Sequence, residues 1–161
     1  MMFANLLRFV VTASALTVAY GQVLANGNYQ IKNVQEGTFA LNFNGMGNPT
    51  TITFHNLSSV EASEFTWHVA KDDGDSGFTL TNVGSGNTAA VTTQEVGAQV
   101  NGLVNTATQF AIEPAGNGNF VIKSPNADLL WAVFEDRTFQ FVPFLEPASG
   151  GDEEKFQFIA V

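Results

Sequence analysis

Hydrophobic and polar residues alternate over short segments along most of the chain, and one alternating motif recurs three times. The motif opens three consecutive stretches, at residues 29–33 (YQIKN), 78–82 (FTLTN) and 120–124 (FVIKS). A Phe-x-apolar triplet closes each stretch, at residues 65–67, 110–112 and 156–158. Alternation with period two predicts half-buried strands, and a spacing of about 40 to 50 residues indicates a repeat architecture.

Each repeat divides into four short strands separated by turns rich in glycine, asparagine and aspartate. The predicted strands are 28–33, 38–43, 50–55 and 64–70; 77–82, 87–92, 98–103 and 109–113; 119–124, 128–134, 138–144 and 155–161. Twelve strands in three pseudo-threefold repeats, about 27–75, 76–117 and 118–161, predict an all-β chain with the β-trefoil fold. Six strands would close a barrel, and three hairpins would cap one end, which leaves no free sheet edge. Two layers of aromatic residues are predicted to fill the core: Tyr29, Phe78 and Phe120, and Phe65, Phe110 and Phe156.

Residues 1–25 have the pattern of a secretory signal peptide. Arg8 supplies the positive end, an apolar run follows at 9–19, and small residues permit cleavage after Gly21 or Ala25. We therefore expect one domain, 26–161, that is secreted and extracellular. The alternative is a buried amino-terminal core helix, but nothing caps it.

The charge of the chain restricts its partners. Six basic residues stand against fifteen acidic ones, which gives a formal net charge of −9, and cysteine is absent. An acidic surface repels phosphate backbones and anionic lipids, so we expect no nucleic-acid partner and no membrane partner after signal removal. A neutral glycan or a basic protein surface fits better. Asn56 begins an N-glycosylation sequon that an exported chain can have modified.

Residues suited to catalysis or metal binding are sparse. His55 and His68 lie on predicted strands without a nucleophile arranged around them, and alternation places His68 toward solvent. The acidic cluster at 72–75 lacks the bidentate glutamate of a calcium loop, which favours a solvated turn. Adjacent acids such as Glu135 and Asp136 are not held across a cleft, as glycoside hydrolysis requires. We expect no enzyme, no catalytic residue, no cofactor and no metal.

The first unit resembles a known family of lectins. Residues 27–34 (GNYQIKNV) followed by 37–41 (GTFAL) are similar to the first strands of fungal ricin-B-like β-trefoil lectins. The Gln-x-Trp signature of that family is replaced in all three units, by the triplets at 63–65, 108–110 and 154–156. The resemblance implies a secreted, non-enzymatic protein that binds carbohydrate on a cell wall or a glycoprotein.

The third unit also resembles fungal β-trefoil protease inhibitors, the mycocypins and cospin-like proteins. The similarity lies in residues 131–133, 135–136, 139–144 and 154–158. It implies an alternative function, inhibition of an extracellular protease through an exposed loop. By sequence the best loop residues are Met46, which stands between glycines, and Leu145, on the way to Glu154.

Trp131 is the main candidate for carbohydrate binding. Without gaps it aligns with Ala40 and Ala89, and strand alternation then turns the indole outward as a stacking platform for a sugar. Asn126, Asp128 and Arg137 would donate or accept hydrogen bonds around it. A register shifted by one residue, which matches Trp131 to Leu41, buries the indole instead.

Overall fold

The computed structural model describes residues 23–43, 47–57, 61–71 and 77–161. These contain thirteen strands and one short 3₁₀ helix, Ala62–Phe65. The strands are β1 Gly27–Asn33, β2 Phe39–Leu41, β3 Thr50–Thr51, β4 Thr53–His55, β5 Thr66–Lys71, β6 Phe78–Asn82, β7 Thr88–Ala90, β8 Asn101–Leu103, β9 Ala111–Gly116, β10 Asn119–Lys123, β11 Leu129–Glu135, β12 Phe141–Pro147 and β13 Phe156–Ala160.

Six of the strands form a closed ring. Strand β1 pairs with β5 and β13, β5 pairs with β6, and β10 pairs with β9 and β13, all antiparallel. A bridge between Phe78 and Phe110 joins β6 to the start of β9 and completes the circle. A closed barrel leaves no strand edge to pair with another molecule.

The other strands form three hairpins, one from each unit. These are β2 with β4, β7 with β8, and β11 with β12. Strand β3 joins the first hairpin to the second through β8, and a bridge between Gln99 and Phe144 joins the second to the third. Six barrel strands with three capping hairpins confirm the predicted β-trefoil.

The strand register shows which positions of the three units are equivalent. The first strand of each unit pairs with the second at Lys32–Phe39, Thr81–Thr88 and Lys123–Leu130. The repeated aromatic residues line the shared core as predicted: Phe65, Phe78, Phe110, Phe120 and Phe156 are buried, and Tyr29 packs half-buried against them. Burial of each ring stabilises the fold by roughly 2 to 3 kcal/mol relative to exposure.

The ends of most predicted strands differ from the observed ends by one to three residues, and two differences have a clear cause. The segment 50–55 is interrupted at Ile52, because its two halves pair with different neighbours, β8 and β2. The segment 138–144 begins at Phe141 and continues to Pro147. The later start has a local cause: the Asp136 carboxylate accepts hydrogen bonds from the backbone N–H groups of Thr138 and Gln140 and keeps those residues in a turn.

Several sequence predictions fall on residues that the structure does not describe. These are the signal peptide up to residue 22, Met46, and the acidic cluster at 72–75. Asn56 is exposed just after β4, although Ser58 of its sequon lies outside the described residues. No helix in the described part of the chain is long and apolar enough to cross a lipid bilayer.

Candidate functional site

Trp131 is buried, so the predicted outward orientation is wrong. Its alignment with Ala40 and Ala89 holds, but all three positions face the interior. The indole is 1% exposed and lies edge-on to Phe110, with ring centroids 5.1 Å apart. The other face of β11 is covered as well, since Leu130 and Ala132, which alternate with Trp131 along the strand, are also buried. A strand covered on both faces has no outward side, and the apolar run 129–133 is the sequence signal for this.

The structure also separates Arg137 from the other predicted sugar contacts. Asp128 lies just before β11, whereas Arg137 lies in the turn after it. Because β11 has seven residues, its two ends are about 20 Å apart. Asn126 and Asp128 therefore stay together at one end of the strand, and Arg137 belongs to a different surface.

Leu145 does not lie on an exposed loop, which contradicts its proposed inhibitory role. It is fully buried within β12, opposite Trp131. Its backbone is also paired, because Leu145 donates to Ala98 and accepts from Gly97. A side chain sealed in the core cannot enter a protease cleft.

The three units meet at three junctions, where the first strand of one unit lies beside the last strand of the unit before it. At two of these junctions, a buried asparagine at the end of that first strand forms a hydrogen bond across the boundary. Asn82 donates from Nδ2 to the Glu64 carbonyl at 2.7 Å, which ties the second unit to the first. Asn33 donates to the Glu153 carbonyl at 2.9 Å and ties the first unit to the third. The residues that follow, Val83 and Val34, add backbone hydrogen bonds across the same junctions, to the carbonyls of Thr66 and Lys155.

The junction between the second and third units is built differently. The equivalent positions hold Ser124 and Pro125. Ser124 is too short to span the junction as asparagine does, and its hydroxyl bonds to Gln94 Oε1 at 2.9 Å instead. Pro125 has no backbone N–H to donate. Among the described residues, the pair of contacts that closes the other two junctions is therefore absent from this one.

A groove lies at this open junction, and we call it the junction groove. It consists of a pocket of about 210 Å³ and a wider one of about 560 Å³, which share Gln109 and Pro125. At its floor, a Cβ on Gly77 would come within 2.7 Å of the Gln109 Cβ, so glycine is needed for this close approach. The remaining lining residues are Thr79, Gln94, Ala107, Thr108, Ala111, Glu113, Lys123, Ser124 and Asn126.

Gln94 has a fixed orientation in the junction groove. Its Oε1 accepts hydrogen bonds from the Ser124 hydroxyl and from the Asn126 backbone N–H, at 2.9 and 3.0 Å. Because the Asn126 backbone N–H can only donate, the end of the Gln94 side-chain amide that faces it must be the oxygen. The Nε2 group has no hydrogen-bond partner within the described residues. Two amide N–H donors are thus available to a ligand.

An ion pair lies beside the groove. Lys123 Nζ is 2.8 Å from Asp128 Oδ1, and both side chains contact solvent. This hydrogen bond and the attraction between the charges raise the pKa of Lys123 and lower the pKa of Asp128. At neutral pH both groups are therefore charged, and they form a paired donor and acceptor rather than a proton-transfer group.

Part of this site was predictable from the sequence, and the rest was not. Asn126 and Asp128 were selected as neighbours of Trp131, and they adjoin the groove although Trp131 does not. Gln94 and Gln109 were not selected. The replacement of Asn-Val by Ser-Pro in the third repeat motif is the signal that could have found the groove.

The chemistry of the groove suits a neutral polar ligand. It combines amide, hydroxyl and carboxylate groups with small apolar surfaces on Pro125, Ala107 and Ala111.

No cluster of three or more metal-binding side chains occurs in the described part of the chain. His68, exposed as predicted, bonds to Asn28 on the barrel wall.

Comparisons with known proteins agree with this fold. The family model for ricin-type beta-trefoil lectin domain-like proteins matches residues 15–103 and 66–140. The solved structure of the Rhizoctonia solani agglutinin has 22% identity and a TM-score of 0.76, covering 87% of this chain and 99% of that one. A Macrolepiota procera ricin B-like lectin in complex with lactose has 21% identity and a TM-score of 0.68, covering 87% of this chain and 99% of that one.

A designed threefold-symmetric protein, ThreeFoil, has 17% identity and a TM-score of 0.72, covering 84% of this chain and all of that one. No curated protein matches the chain by sequence. The family model spans well over half of the chain, in two overlapping matches that reflect the internal repeat. The chain belongs to the ricin-type β-trefoil lectin domain-like family.

Proposed function

We propose that this protein is a secreted, non-enzymatic lectin that binds a neutral glycan in the junction groove. Its family membership supports a carbohydrate partner. The observation that carries the site is the open junction, where Ser124 and Pro125 replace the residues that close the other two.

Each part of the groove matches a feature of a sugar. The Gln94 Nε2 donors and the exposed Asn126 amide can bond to vicinal hydroxyl groups or to an acetamido group. Glu113 and Asp128 can accept hydrogen bonds from hydroxyls. The pyrrolidine ring of Pro125 offers an apolar surface to the C–H face of a pyranose ring.

The net negative charge of the chain favours a neutral glycan over an anionic glycan as the ligand. With a net charge of −9, the surface repels sulfated or sialylated chains unless local basic residues compensate. Lys123 is the basic residue of the groove, and Asp128 neutralises it. We therefore expect neutral hexoses and N-acetylhexosamines to bind better than anionic sugars.

A glycan array probed with the secreted chain tests this function. We expect binding to a subset of neutral glycans. The Asn126→Ala substitution should weaken this binding about tenfold, because one to two hydrogen bonds to the glycan are lost. Gln35→Ala is the matched control, because Gln35 occupies the equivalent position at a closed junction. Binding of no glycan, together with inhibition of papain or subtilisin by the same preparation, would reject the lectin function.

A further inference from the structure

The chain contains four Asn-Gly dipeptides, at residues 26–27, 44–45, 101–102 and 117–118. Such a dipeptide can change chemically without an enzyme. The glycine nitrogen attacks the side-chain carbonyl carbon of the asparagine, ammonia leaves, and water opens the resulting succinimide ring to aspartate or isoaspartate. Glycine permits the close approach because it has no side chain. Three of the four dipeptides lie within the described residues, and the pair at 44–45 does not.

The dipeptide Asn26-Gly27 is held by hydrogen bonds. Asn26 Oδ1 accepts from the Lys71 backbone N–H at 2.9 Å, and Asn26 Nδ2 donates to the Lys71 carbonyl at 3.5 Å. Gly27 begins β1 and pairs with Val69 of β5. The reaction requires the peptide between the two residues to rotate until the glycine nitrogen meets the side-chain carbon. At this dipeptide the hydrogen bonds to β5 must therefore break first.

The dipeptide Asn101-Gly102 lies inside a sheet. Gly102 is buried, and strands β3 and β7 pair with it on its two sides. A Cβ on Gly102 would come within 2.6 Å of Asn42 Nδ2, so the Asn42 side chain covers this glycine. Asn101 Nδ2 donates to the Gln99 carbonyl at 3.3 Å. Rotation of this peptide would disrupt two strand ladders.

The dipeptide Asn117-Gly118 is exposed at the turn between β9 and β10. Its φ values are 53° and 76°. A two-residue hairpin turn of type I′ requires positive φ at both positions, which is why Asn-Gly is favoured there. Neither the Asn117 side chain nor the Gly118 N–H has a hydrogen-bond partner within the described residues. Rotation of this peptide therefore breaks no hydrogen bond of the reacting groups.

We propose that Asn117 is a site of spontaneous deamidation, with its own side-chain amide and water as the reactants. Gly118 N forms a bond to Asn117 Cγ, the Cγ–Nδ2 bond breaks, and the proton of the Gly118 N–H leaves with the ammonia. Water then adds to one carbonyl of the succinimide and cleaves a ring C–N bond. In sum, amide and water give carboxylic acid and ammonia, and the carboxylate makes a chain of net charge −9 more acidic. The inference does not depend on the proposed function.

Isoaspartate at this turn loosens the connection between the second and third units. In isoaspartate the main chain runs through the side-chain carbon atoms, which adds one atom to a two-residue loop. The length of that loop sets the register of β9 with β10, in which Asn119 pairs with Gly116. The same ladder joins the second unit to the third. Aspartate, the other product, leaves the main chain unchanged.

Peptide mapping of the full chain by tandem mass spectrometry, after storage in mildly alkaline buffer, tests the site. In the folded chain we expect Asn117 to be converted at least about tenfold faster than Asn26 or Asn101, because each of those must first lose hydrogen bonds. In denaturant the three asparagines should be converted at similar rates, since all three precede glycine. Conversion of Asn117 in the folded chain no faster than that of Asn26 and Asn101 would overturn the proposal.

The effect on the hairpin is tested by comparing the purified isoaspartyl chain with the Asn117→Asp chain. Both carry the same added charge, so they differ only in the extra main-chain atom. We expect the isoaspartyl chain to melt several degrees below the Asn117→Asp chain, which should melt close to wild type because aspartate also adopts positive φ in this turn. Equal melting temperatures of the two modified chains would overturn the loosening of the hairpin.

Discussion

The first–second and second–third junctions have the same fold and register, yet one is sealed and the other is open. At the first, the Asn82 side chain donates to the Glu64 carbonyl and accepts from Gly84 and Ser85. At the second, Ser124 bonds to Gln94, and Pro125 cannot donate at all. The comparison shows how a repeat protein can hold a binding groove: Ser124 and Pro125 do not make the contacts that close the other junctions, while the β9–β10 ladder still joins the two units.

The largest expected effect concerns the sealed junction. Asn82→Ala removes a buried amide that makes several hydrogen bonds, and it leaves the Glu64 carbonyl without this donor. We predict a loss of about 3 kcal/mol in the free energy of unfolding. Ser124→Ala should cost less than about 1 kcal/mol, since only one hydroxyl bond is lost. Urea unfolding of both variants measures the difference, and equal losses would show that the two junctions do not differ in this way.

The second prediction converts the open junction into a sealed one. The double change Ser124→Asn and Pro125→Val restores the residue types of the other junctions and fills part of the groove. We predict that glycan affinity falls at least tenfold, while the free energy of unfolding changes by no more than about 1 kcal/mol. Binding at the wild-type level in a chain that folds normally would show that the groove is not the site.

A smaller effect is expected from Gln94→Glu. The change keeps an acceptor for Ser124 and Asn126 but removes the two N–H donors that face the groove. Affinity for the glycan should fall about three- to tenfold, as expected for the loss of one or two hydrogen bonds to a neutral ligand. Calorimetry measures it, with Gln35→Ala, a change at a sealed junction, as the control. An unchanged affinity would mean that the Gln94 amide does not contact the sugar.

The smallest effect concerns the ion pair beside the groove. Asp128→Asn should lower the pKa of Lys123 toward its ordinary value of 10.5, because the partner that raises it is lost. The lowered pKa of Asp128 means that its stabilising contribution is present above about pH 3.8 and is lost as the pH falls through the folded-state pKa. The raised pKa of Lys123 preserves its contribution up to at least pH 10.5.

We therefore predict no change in stability or affinity from this pair between about pH 5 and pH 9. A titration of Lys123 by NMR, with and without Asp128→Asn, checks the pKa shift directly. A drop in affinity within this pH range that disappears in the Asp128→Asn chain would contradict it.

The repeat fold was predictable because its signal is redundant. Each of the two aromatic layers has one member in every unit, so an error at one position is corrected by the other two. Trp131 is a position at which the pattern of alternation predicted the wrong side-chain orientation. Its alignment was right, but alternation assumes one exposed face, and β11 is covered on both faces.

The site was less predictable because it arises where the symmetry fails. Gln94 lies in the second unit and reaches Ser124 and Asn126 of the third, a long-range contact that no local pattern encodes. Asn126 and Asp128 were found because they adjoin a conspicuous tryptophan. The Ser124-Pro125 pair was visible in the sequence, but its meaning depends on what Asn82 and Asn33 do in the folded chain.

The most direct test is an NMR titration of the ¹⁵N-labelled chain with the glycan that binds best on the array. It compares the three equivalent junctions within one molecule, so each sealed junction is an internal control. We predict saturable amide shifts at Gly77, Gln94, Gln109 and Asn126, with none at Gln35 or Gly84. Shifts of equal size at all three junctions, or none at the second–third junction, would contradict the account.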